Sequence, residues 1–132
     1  MKKLSETLLK QRIAVRCRAL GACGASIGGS LVRTRRRCGR PNCRCAQDAD
    51  ARHVSHVLTR KVKRKTKVLY VPVGMVKEVE HWVRERRRVR RLLAEMDALA
   101  EQLIRNHVGA NRAVRQNRVR LEATRATSSR PA

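Results

Sequence analysis

The sequence contains no phenylalanine, and Tyr70 and Trp82 are its only aromatic residues. Aromatic rings supply the largest buried area per side chain in a core and the stacking platforms that hold nucleic-acid bases. Their scarcity leaves the interior to Val, Leu, Ile, Ala and Met, and it demotes base stacking as a recognition device. Acidic residues are also few, 10 against 33 Lys and Arg. Most of them, Glu78, Glu80, Glu85, Glu95, Asp97 and Glu101, fall in one stretch of helical periodicity, where ion pairing with nearby arginines explains them. No apolar run approaches the roughly 18 residues of a membrane span, and Lys10, Arg12, Arg16 and Arg18 break the first segment as a secretory leader. A cytoplasmic protein is expected. Also missing are a glycine-rich phosphate loop ahead of a helix and an HExxH pair. A nucleophile at Cys43 or Cys45 with His53 or His56 as base would lack an oxyanion donor and an orienting group, so no enzyme is expected.

Positive charge is what the chain has in excess. A formal net charge of +23 on 132 residues makes a folded monomer repel itself unless an anionic partner is near. Nucleic acid is therefore the expected partner. The cations are grouped: residues 33–44, 60–67, 84–91 and 112–130 each hold six Lys or Arg.

The length suits one small domain. In residues 2 to about 20, Leu4, Leu8, Leu9, Ile13, Cys17 and Leu20 recur at helical spacing, with Ser5 as candidate N-cap. The run GACGASIGGS ends that helix as a hinge or close-packed linker. SLVRTRRR reads as a short strand, and VSHVLTRKV with TKVLYVP reads as a hairpin that Pro72 closes. Val54, His56, Leu58, Arg60 and Val62 should share one strand face, as should Val68 and Tyr70. From Met75 the period becomes helical: Val79, Trp82, Arg86, Val89, Leu93, Met96, Ala100, Leu103 and His107 form a stripe that Leu92, Leu99 and Ile104 widen. That helix needs a partner, either the first helix folded back or a second copy. Beyond Gly109 the sequence reads as a disordered basic tail.

The stretch RCGRPNCRC places Cys38, Cys43 and Cys45 at spacing C-x4-C-x-C. An odd number of cysteines without an export signal favours thiols or metal ligands over disulfides. One further ligand would close a tetrahedral zinc site, and His53 and His56 are the candidates. The arginines around the loop would stabilise thiolates and offset the negative charge of a three-thiolate zinc site. A turn built by Gly39 and Pro41, with the cysteines as small hydrophobes or free thiols, is the competing reading. Cys17 and Cys23 read as helix-face and linker residues.

The segments GSLVRTRRRCGRPNCRCA and LTRKVKRKTKVLYVP resemble a family of small, basic, functionally uncharacterised prokaryotic proteins. Its pattern is a Gly-Ser-Leu strand, a CGxxxCxC loop, a strand pair ending in Tyr-Val-Pro and a long helix. The resemblance covers roughly residues 29 to 105. Members are sometimes encoded near mobile elements, which implies a link to DNA transactions. RHVSHV stands where the family tends to have His, Gly, Pro and an aromatic residue, and the turn in KVKRKT lacks the usual glycine. Without glycine, that turn should be longer or of type I.

The expected fold is therefore α+β: an N-terminal helix and linker over residues 1–28, a three-stranded antiparallel sheet with the Cys loop over 29–73, a long helix over 74–108, and a tail over 109–132. Arg33, Arg35, Arg36, Arg37, Arg40, Arg44, Arg60, Lys61, Lys63, Arg64, Lys65 and Lys67 are expected to form one cationic surface on adjacent strands, touching phosphates rather than reading bases. DNA is favoured over RNA because Tyr70 is the sheet's only aromatic side chain. The basic block at residues 85–91 reads as a solvated helix face. The rival reading is an interaction scaffold in which the long helix pairs copies or recruits a protein, and the charge serves solubility.

Overall fold

The computed structural model describes residues 3–128. The chain forms two compact units, Ala22–Arg91 and the combination of Met1–Gly21 with Leu92–Ala132.

In the first unit, β1 (Ser30–Arg36), β2 (His53–Val62) and β3 (Lys65–Val71) form an antiparallel sheet in that order. β-Branched residues suit the pleated surface, and Pro72, which has no amide hydrogen to donate, ends the last strand. Residues paired across an antiparallel ladder share a face. Leu31, Leu58 and Leu69 therefore lie on one side, together with Val54, His56, Arg60, Val62 and Val71, as alternation predicts for β2. That side meets the start of the long helix α2 (Val76–Ser128): Leu58, Val71, Val79 and Val83 form the core, with Ile27, Leu31, Val76 and Trp82 packed against it. Val32, Val57, Val68 and Tyr70 occupy the opposite face, where only Val57 is buried.

The β2–β3 turn departs from expectation. Val62 pairs with Lys65, so the turn has two central residues, Lys63 at φ 49° and Arg64 at φ 66°. Left-handed backbone at both positions is the type I′ pattern, whose twist matches that of the flanking strands. Strand pairing thus imposes on two ordinary residues a conformation that glycine or asparagine adopts more readily.

The glycine-rich run is tied down rather than swinging free. The Ile27 amide donates to the Trp82 carbonyl (3.2 Å), the Gly24 amide donates to Glu85 Oε2 (3.1 Å), and Arg86 Nε donates to Ser26 Oγ (3.0 Å). Gly29 has φ +136°, and a Cβ there would stand 2.6 Å from the Thr59 carbonyl oxygen, so the chain can enter β1 so close to β2 only through glycine.

In the second unit, α1 (Glu6–Gly21) is capped by Ser5, whose Oγ accepts the Leu8 amide at 3.3 Å. It runs antiparallel to α2: Asn106 Nδ2 donates to the Leu4 carbonyl (3.1 Å), and Arg16 pairs with Glu95 (3.0 Å). Leu9 and Leu92 are the buried anchors. The first helix folded back is thus a partner of the long one. Along residues 92–106 the covered positions include Leu92, Met96, Leu99, Leu103 and Asn106, whereas Leu93, Ala100, Ile104 and His107 face outward.

α2 passes the expected end near His107 and continues through Ser128, where a disordered tail was expected; residues 129–132 lie outside the described part. Gly109 costs a helix only about 1 kcal/mol relative to alanine. The Ala, Arg, Gln, Leu and Glu residues that follow are good helix formers, and no proline intervenes before Pro131. An Arg118–Glu122 pair at 3.0 Å adds one i,i+4 contact. Every residue from His107 to Ser128 is exposed, and beyond Ala110, which still borders the start of α1, local propensity is the main support of this segment.

Candidate metal centre

The loop joining β1 to β2 folds back on itself. Gly39, at φ 78°, turns the chain after Cys38, and a 3₁₀ turn at Arg44–Ala46 begins one residue after Cys43. These bends bring the three cysteines together at the end of the sheet. Register supplies the fourth group, because His53 stands opposite Arg36, at the mouth of the loop.

The ligand atoms of Cys38, Cys43, Cys45 and His53 all lie within 4.8 Å of one another, close enough to hold a metal ion. The two Sγ atoms of Cys38 and Cys45 are 3.4 Å apart, and Cys43 Sγ is 3.3 Å from His53 Nε2. Ligands at the ~2.0–2.3 Å distances of a tetrahedral zinc site stand roughly 3.5–3.8 Å from each other, so little movement would be required. Cys45 is buried (1% exposed) and forms the floor, while Cys38 and His53 are exposed.

The loop backbone also shifts the acidity of the three thiols. The Arg40 amide, and then the Cys45 thiol, hydrogen-bond the Cys38 sulfur and hold its thiol below the ordinary range. Cys43 is lowered likewise, chiefly by the Cys45 amide and then by the His53 ring. For Cys45, the Cys38 amide donates to its sulfur at 3.3 Å, but burial and the two crowding thiols outweigh that bond and push its thiol up. Backbone amides aimed at sulfur favour the thiolate, the form that binds metals. None of the five cysteines is in a disulfide, and Cys17 and Cys23 stand outside the cluster.

His56 is not part of this group. Three positions from His53 on a period-two strand, it lies on the opposite sheet face, paired with Arg33 and Val71, and its Nδ1 is buried without a partner among the described residues.

The cations are arranged differently from the single surface expected on adjacent strands. The ladder pairs Arg33, Arg35 and Arg36 with His56, Val54 and His53, whereas Arg60 to Lys67 occupy the other end of the sheet, around the hairpin turn. The antiparallel register therefore separates the two basic blocks. Arg36, Arg37, Arg40 and Arg44 surround the cysteine loop, all exposed. Arg60 and Lys61 instead line a cleft with Arg86, Arg87 and Arg90 of α2. Helical arginines taken from the sequence as a solvated face thus belong to the sheet's basic end. Their i, i+1 and i+4 spacing was visible in the sequence; the strand end opposite them was not.

No curated protein and no solved structure matches the chain. A family model does, over residues 6–81, a span that takes in α1, the tied-down linker, the whole sheet with its cysteine loop, and the start of α2. With more than half of its length so matched, the chain belongs to the family described as a domain of unknown function, DUF6788.

Proposed function

We propose that the protein is a non-enzymatic nucleic-acid-binding protein, with DNA favoured over RNA, that contacts phosphates through exposed cations on a sheet closed at one end by a zinc-stapled loop. One observation carries the reading. Arg33, Arg35, Arg36, Arg37, Arg40, Arg44, Arg60, Lys61, Lys63, Arg64, Lys65 and Lys67 are all exposed, and among the described residues only Arg44 has a carboxylate in reach, Asp48 at 3.8 Å. Cations displayed in such number without acids to neutralise them suit a phosphate chain. Three sulfurs and one imidazole suit zinc, whose structural sites use that donor set. Bound zinc would fix the loop and thereby the arginines it carries. Tyr70, exposed on the sheet, is alone there, which weighs against base stacking and hence against single-stranded RNA. An accessory role in mobile-element or other DNA transactions fits this chemistry.

Exposed Ile104, Val108, Val114, Val119 and Leu121 on α2 support a second reading, assembly through the helix. A salt titration of binding to duplex DNA, single-stranded DNA and RNA decides between them. The nucleic-acid reading expects a saturable complex whose log affinity falls linearly with log salt, by about 0.9 per phosphate contacted on duplex DNA. Absence of any saturable complex at physiological salt would overturn it.

A further inference from the structure

Resting on the nucleic-acid reading, we infer that the cleft between the Gly28–Gly29 segment, the hairpin end of the sheet and α2 is a binding site for a doubly charged phosphate group, the kind that ends a nucleic-acid strand. The cleft measures about 620 Å³, room for a terminal nucleotide. Arg60 and Lys61 from β2 and Arg86, Arg87 and Arg90 from α2 line it, and its walls include no acidic and no aromatic residue. No aromatic ring is there to stack a base, and a cation would be repelled. Ser30, Thr59 and Thr66 line the cleft as well, and Thr59 Oγ1 donates to the Ser30 carbonyl at 3.3 Å, which ties the start of β1 to its wall.

Two guanidinium groups converge on its floor. A Cβ built on Gly28 would stand 3.2 Å from Arg90 Nη2 and 3.6 Å from Arg86 Nη1, so both like-charged ends lie over the same glycine. Arg86 is fixed there by Nε to Ser26 Oγ at 3.0 Å and Nη2 to the Ser26 carbonyl at 3.3 Å. These bonds orient the positive charge without neutralising it, which leaves a bound anion as the group that would. Duplex phosphodiesters lie on a convex surface with one charge each. A terminal phosphomonoester projects from its strand with about 1.5 to 2 charges at neutral pH, and a concave site with cations on two walls fits the latter.

The test uses the full, metal-loaded chain and a single-stranded DNA oligonucleotide with and without a terminal phosphate, with inorganic pyrophosphate titrated separately by calorimetry. The phosphorylated oligonucleotide should bind about fivefold or more tighter, the effect of one or two added charge-assisted hydrogen bonds. Gly28→Val fills the floor without altering charge and should abolish the preference. Lys61→Gln with Arg90→Gln should do the same, whereas Arg112→Gln with Arg115→Gln, an equal loss of charge outside the cleft, should weaken both oligonucleotides and preserve the preference. Equal binding of the two oligonucleotides by the native chain, with no pyrophosphate bound, overturns the inference and leaves the nucleic-acid reading standing. Pyrophosphate bound in a manner sensitive to Gly28→Val, with neither oligonucleotide bound, supports the phosphate site with a free phosphate as its source and overturns the nucleic-acid reading.

Discussion

His53 and His56 show how much one side chain's place on a strand decides. Both are imidazoles at the entrance to β2, but an odd spacing on a period-two element sends them to opposite faces, and only His53 reaches the sulfurs. Elemental analysis of protein purified without metal-affinity steps should give about one zinc per chain, since a Cys₃His set closes one tetrahedral site. Cys43→Ser and His53→Ala should each lower that content together with the thermal midpoint; His56→Ala should leave the metal content unchanged. A His56 variant that loses the metal, or a native chain that never contains it, would contradict the assignment. Leu58 makes a simpler case. It is 2% exposed at the centre of a four-residue core that has no phenylalanine to share the burial. Leu58→Ala should destabilise the sheet by about 2–5 kcal/mol in denaturant unfolding.

Among the elements, the β2–β3 turn and the end of α2 are where the observed conformation departs most from the sequence expectation. Lys63 and Arg64 hold left-handed backbone because the right-handed twist of paired strands selects a type I′ turn whatever residues occupy it. The double substitution Lys63→Asn with Arg64→Gly, which installs the pair that this turn favours, should raise stability by roughly 1 kcal/mol, read as a higher denaturant midpoint at unchanged slope. No gain would mean that the turn carries no strain. The distal part of α2 presents the reverse situation, since intrinsic propensity is the main support of residues 111–128. Gly109→Pro should reduce the helical circular dichroism signal, because an interior proline costs about 3 kcal/mol, while the zinc content stays the same.

At the scale of the whole molecule, a net charge of +23 opposes compactness, and six ion pairs among the described residues, several of them between exposed i,i+4 neighbours, relieve little of it. Screening should therefore stabilise the fold, so the thermal midpoint should rise as salt is added from low ionic strength. Nucleic acid should raise it further at fixed salt, because a ligand that binds only the folded state stabilises by mass action. A midpoint that is flat or falling in both titrations would show that self-repulsion is not a major term.

Element order, the three cysteines that come together and the size of the positive charge were all legible in the sequence. Each depends on local quantities: periodicity, spacing within nine residues, and composition. The turn type, the choice of histidine and the grouping of the cations were not legible, because each depends on which distant residues become neighbours. Register set Arg33–Arg36 and Arg60–Lys67 at opposite ends of the sheet, and packing of Leu58 and Val71 on Val79 and Val83 set Arg86 and Arg90 beside Arg60. Composition fixed how much positive charge the protein must manage; only long-range pairing, driven by burial of a small aliphatic core, decided where that charge converges.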